Sequence, residues 1–161
     1  LKQWDMKGTP EALYKSGIRA SFEQHGVKNV ENYLVSTKVP ARYPGFKASP
    51  SAPAPSDITV VWNTNSTKKQ LEQIITQKWI ANWKLGNEAW ADYRRTGYPF
   101  LIPVAYNGSN VVDINRGPQR LPYPAAEYTD NLTNVQSAVS NYLNGPDNLA
   151  TKVWWACKPG L

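Results

Sequence analysis

The chain has 161 residues, a net charge of +6, one cysteine, 13 prolines, and seven Trp, nine Tyr and three Phe. That length fits about one domain with a real core, and a single cysteine excludes an internal disulfide framework and any four-thiolate zinc site. The 18 basic residues form no group tighter than Lys68-Lys69 or Arg94-Arg95, a solvated cationic surface that speaks against a nucleic-acid partner.

No run approaches the about 18 apolar residues of a membrane-spanning helix. The first residue is Leu and no secretion-signal pattern follows it, which fits a mature or truncated chain.

In chain order, Thr9-Pro10-Glu11 has the make-up of a helix start: a capping hydroxyl, a first-turn proline and an acid at the positive end of the dipole. Tyr14, Ile18, Ser21, Phe22 and His25 then fall on one face, with Gly26 as the stop. A shorter helix is expected around Val30, Tyr33 and Leu34. From Ser36 to Ser66, five prolines interrupt any helix, and only Ile58 to Trp62 has extended character. Irregular segments of this length inside a compact domain tend to be functional or to pack on other chain.

A long helix follows, with Thr67 and Gln70 at capping-box spacing, an apolar face of Leu71, Ile74, Ile75, Trp79 and Trp83, and Gly86 as its end. Glu88 to Arg95 reads as a short helix closed by Thr96-Gly97 and Pro99. Phe100 to Pro118 is irregular, with short extended pieces near Val104 and Val111-Val112. Leu121-Pro122-Tyr123-Pro124 forces an extended run. The last helix starts near Asn131, with the stripe Leu132, Val135, Val139, Tyr142 and Leu143 ended by Gly145-Pro146. The fold class is mainly α, with long irregular loops and at most short β pieces.

The equipment for catalysis is thin. A serine triad would have to use His25, the only histidine, whose place on an apolar helix face favours packing. Cys157 has no adjacent base or helix start to activate it. No cofactor or metal is expected, since metal-ligand spacings and phosphate-binding glycine loops do not occur. Glu88 and Asp92 are spaced to share a helix face, the minimum for a glycosidase, but Arg95 three residues on makes an ion pair the simpler reading. The triplets at Asn65, Asn107 and Asn131 fit a glycosylation pattern that arises easily among 14 asparagines.

Aromatic residues in irregular segments remain: Trp4, Tyr43, Phe46, Trp62, Tyr98 and Tyr106, beside Arg42, Asn63, Asn65 and Asn107. Such rings stack on the C–H faces of sugars while amides bind hydroxyls, or they anchor peptides or pack against protein.

Five strings resemble one family. Thr67-Lys-Lys-Gln-Leu-Glu-Gln-Ile-Ile-Thr-Gln-Lys-Trp-Ile-Ala81 and Gly86-Asn-Glu-Ala-Trp-Ala-Asp-Tyr-Arg-Arg-Thr-Gly-Tyr-Pro99 are similar to consecutive helices of SusD/RagB-type nutrient-binding proteins of the Bacteroidetes outer membrane. Tyr14 to Val27, Arg120-Leu-Pro-Tyr-Pro124 with the following helix, and Thr151-Lys-Val-Trp-Trp155 resemble other blocks of that family, in the same order. The resemblance implies a surface lipoprotein that is not an enzyme. It would capture oligosaccharides, or peptides in some branches, as the lid of a SusC-like TonB-dependent transporter. It also implies that residues 1–161 are the C-terminal portion of a longer chain carrying the lipid anchor. Trp79, Trp90, Asp92, Arg94, Arg95, Gly97 and Pro99 are then structural motif residues, with Trp90 and Tyr93 in the core and Asp92, Arg94 and Arg95 in an ion-pair and cap network. Ligand contacts are expected in the variable loops, at Tyr43, Trp62, Asn63, Tyr106 and Asn107.

Overall fold

A computed structural model describes residues 7–45 and 50–157. Trp4 and Phe46 therefore lie outside the described residues. Six α-helices follow one another: α1 (Pro10–Gln24), α2 (Val30–Leu34), α3 (Thr67–Ala81), α4 (Gly86–Thr96), α5 (Ala125–Asp130) and α6 (Leu132–Tyr142), before a 3-10 turn at Trp154–Ala156. Among the described residues the only β pairing is one antiparallel bridge between Tyr43 and Ala52. The mainly helical reading holds.

The first helix starts as its residues dictate: the Thr9 side chain accepts the Ala12 N–H at 3.2 Å, and Pro10 occupies the first turn. Tyr14 and Ile18 are buried against Leu34 of α2, and Phe22, Tyr33, Trp62 and Ile74 pack around them. Each fully buried side chain of this kind contributes about 1.5–3 kcal/mol. His25 departs from its expected apolar face. It is the exposed C-cap of α1, where the helix has already ended.

Helix α3 departs further. Ser66, not Thr67, is its cap, accepting the Lys69 N–H at 3.3 Å, and Gln70 donates to the Asn63 carbonyl instead of closing a capping box. The helix stops at Ala81, where turn bonds over residues 80–85 take over, and Gly86 opens α4. Its buried side chains are Glu72, Gln73 and Ile75, whereas Trp79 is 38% and Trp83 71% exposed. The expected apolar stripe through the two tryptophans is therefore corrected. The polar face meets the preceding chain instead, Glu72 accepting from the Ser56 hydroxyl and Gln73 bonding the backbone of Thr59, Val61 and Asn63.

The segment Ile58 to Trp62, expected to be extended, is irregular with a bend at Val60-Val61 and joins no sheet. Its backbone groups are satisfied one by one: Val60 O accepts from the Tyr14 hydroxyl, Val61 N–H donates to Ser36 O, and Gln73 Nε2 donates to Thr59 O and Val61 O. Buried peptide groups need such partners, and here side chains of α1 and α3 replace a neighbouring strand. The pieces near Val104 and Val111-Val112 are likewise irregular, with Leu101 to Tyr106 exposed and no strand formed.

Toward the C-terminus, α5 is a helix that the reading of Leu121 to Pro124 as a run straight into the last helix leaves out. A bend at Asn131 separates it from α6. On α6 only Val135 is buried, and Leu132 and Tyr142 face outward.

Candidate functional site

A polar cluster surrounds α4. Gly97 closes that helix with φ +75, a left-handed value suited to glycine, and its N–H bonds Tyr93 O at 2.7 Å. The Thr96 hydroxyl donates to Asp92 O and accepts from the Tyr98 N–H, so the chain turns sharply into a cis Tyr98-Pro99 bond. Tyr98 and Pro99 are buried, and the Tyr98 ring meets the edge of Phe100 at 5.1 Å. Tyr98 is thus a packing residue and not an exposed loop aromatic.

Asp92 lies at the centre of an ion-pair node. Arg95 Nη2 donates to it at 2.9 Å, and the Lys78 ammonium of α3 lies 2.7 Å from both Asp92 Oδ2 and Glu88 Oε1. Burial pushes the Asp92 carboxyl upward, but Lys78 and Arg95 outweigh it and hold the group below its usual range. Lys78 loses charge preference through burial yet is raised overall by Asp92 and Glu88. Lys78 thus bridges Glu88 and Asp92, where a glycosidase needs one carboxyl kept protonated as an acid.

Arg94 takes a different role from the ion-pair network expected for it. Its Nη1 donates to Gln119 O at 2.9 Å, and its guanidinium lies 3.7 Å over the Trp90 ring and 4.8 Å from that of Trp155. Trp90 Nε1 donates to Pro118 O, and the Tyr93 hydroxyl donates to Asn115 O. Both rings are half-buried rather than core. Together they fasten the irregular segment 115–119 onto α4.

A second node, absent from the sequence reading, joins Arg120 to Asp147 in a buried pair. Asp147 also accepts the Tyr123 N–H at 3.0 Å and the Tyr128 hydroxyl at 2.7 Å. Burial raises the Asp147 carboxyl, but Arg120 and these donors lower it on balance. The block Arg120 to Pro124 hints at such a node, but its partner 27 residues along is invisible without the fold.

The expected ligand residues are not assembled into one cavity. Tyr43 forms the bridge to Ala52, with both N–H···O distances at 3.0 Å. The Trp62 ring lies 5.0 Å from that of Tyr14. Asn63 Oδ1 accepts the N–H groups of Asn65 and Ser66, ordering the entry to α3. Asn107 ties its own loop, donating to Val112 O and accepting the Ser109 N–H. Tyr106 is 85% exposed. Among the described residues, cavities of about 620, 410 and 1160 Å³ lie elsewhere: beside the turn after α4, between α1 and α3, and between α2, α3 and residues 99–102.

A family model described as SusD-like, "Susd and RagB outer membrane lipoprotein", matches residues 1–156. A SusD homologue from Bacteroides uniformis is 50% identical with a TM-score of 0.87, the alignment covering 96% of this chain and 33% of that one. A SusD homologue from Bacteroides ovatus gives 43% identity and a TM-score of 0.89, over 98% of this chain and 34% of that one. A chitin-binding SusD homologue from Flavobacterium johnsoniae gives 40% identity and a TM-score of 0.88, over 98% and 33% of the two chains. The chain thus spans about a third of the length of these solved relatives. No curated protein matches it.

Proposed function

The chain belongs to the SusD-like family of outer-membrane lipoproteins, and from that premise we propose that the protein captures oligosaccharides at the cell surface, without catalysis, for import through a SusC-like TonB-dependent transporter. The observation that carries this is the 40% identity, over nearly the whole chain, to a relative described as chitin-binding. In this reading the protein is held at the outer membrane by a lipid anchor, and residues 1–161 are the C-terminal segment of the receptor. The exposed Trp79, Ile80, Trp83 and Leu85 then pack against the remainder of its own chain.

Tyr106 offers its exposed ring to a sugar face, Asn107 holds the loop that presents it, and Tyr43, Trp62 and Asn63 brace the neighbouring irregular segment. Calorimetry on the full-length receptor tests this with chito-oligosaccharides, other neutral oligosaccharides and peptides. Saccharide binding that weakens about two- to tenfold in Tyr106→Ala, the worth of one aromatic contact, is the expected result. Binding of peptides alone overturns the oligosaccharide reading.

A further inference from the structure

The cavity of about 620 Å³ beside the α4 turn has an unusual lining. Among the described residues, four cationic side chains border it, Arg94, Arg95, Arg116 and Lys152, and no Asp or Glu does. Arg95 and Arg116 have carboxylate neighbours, Asp92 at 2.9 Å and Asp113 at 3.8 Å, both outside the lining. Among the described residues, Arg94 and Lys152 pair with no carboxylate. Arg94 Nε is buried with no hydrogen-bond partner, and burial lowers this guanidinium's pKa with no anion to offset it. This part-buried cation is met by the Gln119 carbonyl and the Trp90 and Trp155 rings, which leaves its charge without a counter-ion.

The same lining holds apolar surface: Phe100, Leu101 and Ile102, each more than a third exposed, with Pro103. The apolar residues suit the C–H face of a pyranose ring, and the cationic ones suit an oxyanion. Guanidinium forks match the two coplanar oxygens of a carboxylate and the oxygens of a sulfate ester alike.

We infer that this cavity binds an anionic sugar unit, a uronate or a sulfate ester, within the captured oligosaccharide. The inference rests on the capture reading and adds the ligand's charge class. The apolar residues stack on the ring, while Lys152 and Arg116 meet the oxyanion and Arg94 supplies fixed positive charge.

Titration calorimetry of the full-length protein with an oligogalacturonide, a sulfated oligosaccharide and a neutral oligosaccharide of equal length tests it. At low salt, at least one anionic ligand should bind about tenfold or more tightly than the neutral one, the worth of one hydrogen bond to a charged group. That advantage should shrink as salt rises. Lys152→Gln and the exposed Arg116→Gln should each remove much of the preference and leave neutral binding unchanged. Equal binding of charged and neutral ligands, or a preference that survives both substitutions, overturns the inference while capture stands. Failure of every saccharide to bind overturns capture as well.

Discussion

The Gln73 carboxamide oxygen accepts the Asn63 backbone N–H at 2.9 Å, and its amide nitrogen bonds Thr59 O and Val61 O. Gln73 is 1% exposed, the most buried large side chain described. One helix side chain thus does for an irregular segment what a neighbouring strand does in a sheet. Gln73→Leu should destabilise the protein by about 2 kcal/mol or more, because it removes three hydrogen bonds and strands the Asn63 N–H and Thr59 O, while Val61 O keeps the Thr59 hydroxyl. Chemical denaturation reads this as a lower midpoint at unchanged slope. A loss under about 1 kcal/mol would mean that water replaces the amide easily.

Asp147 predicts an acid sensitivity. Its carboxyl is held below the ordinary value of 3.8, so in acid the unfolded chain binds a proton that the folded chain refuses. The stabilisation is complete above that ordinary value and fades as pH falls through the lowered folded value. Asp147→Asn should flatten the stability profile in that window. It should also cost about 3–5 kcal/mol at neutral pH, since Arg120 is left buried without its partner. Unfolding midpoints between pH 2.5 and 7 check both effects, and an unaltered acid slope would count against this role.

The two α4 carboxylates should separate by stability and not by turnover. Asp92→Asn removes a buried anion held between Lys78 and Arg95 and should cost about 2 kcal/mol or more. Glu88→Gln loses one exposed contact and should cost under about 1 kcal/mol. Neither variant, nor the parent, should release reducing sugar from oligosaccharides. Sugar release by the parent that both substitutions abolish would restore the glycosidase reading.

Trp83 is 71% exposed here. If the rest of a longer chain covers it, Trp83→Ala in the full-length protein should cost about 3 kcal/mol or more, the range of a buried aromatic truncation. A surface tryptophan would cost within about 0.5 kcal/mol. Thermal unfolding of the full-length protein distinguishes the two, and a silent substitution removes the proposed contact.

Much of the local structure was legible because it is written in neighbouring residues. Thr9-Pro10-Glu11 starts α1, Gly97 closes α4, and the Arg95–Asp92 pair lies at helical spacing. The same locality explains the misses. The stripe of Leu71, Ile74, Ile75, Trp79 and Trp83 is apolar at helical spacing, yet α3 buries Glu72, which accepts from the Ser56 hydroxyl, and Gln73, which binds the backbone of residues 59–63. Periodicity reports apolar surface and carries no signal for peptide groups that need partners.

The candidate site shows the same division. That aromatic and amide residues crowd the loops was plain from composition, and so was the family resemblance. That Trp62 turns inward onto Tyr14 while Tyr106 turns outward depends on neighbours dozens of residues away.

By itself the sequence determined most of the helices, the start of α1, the end of α4 and the family, because these depend on side chains a few residues apart. Only the tertiary structure decided which faces are buried and where charge is left without a partner. It gathers Arg94, Arg116 and Lys152 around one cavity, and it seats Asp147 among Arg120, Tyr123 and Tyr128. Burial and pairing are properties of distance in space, and the order of residues along the chain does not contain them.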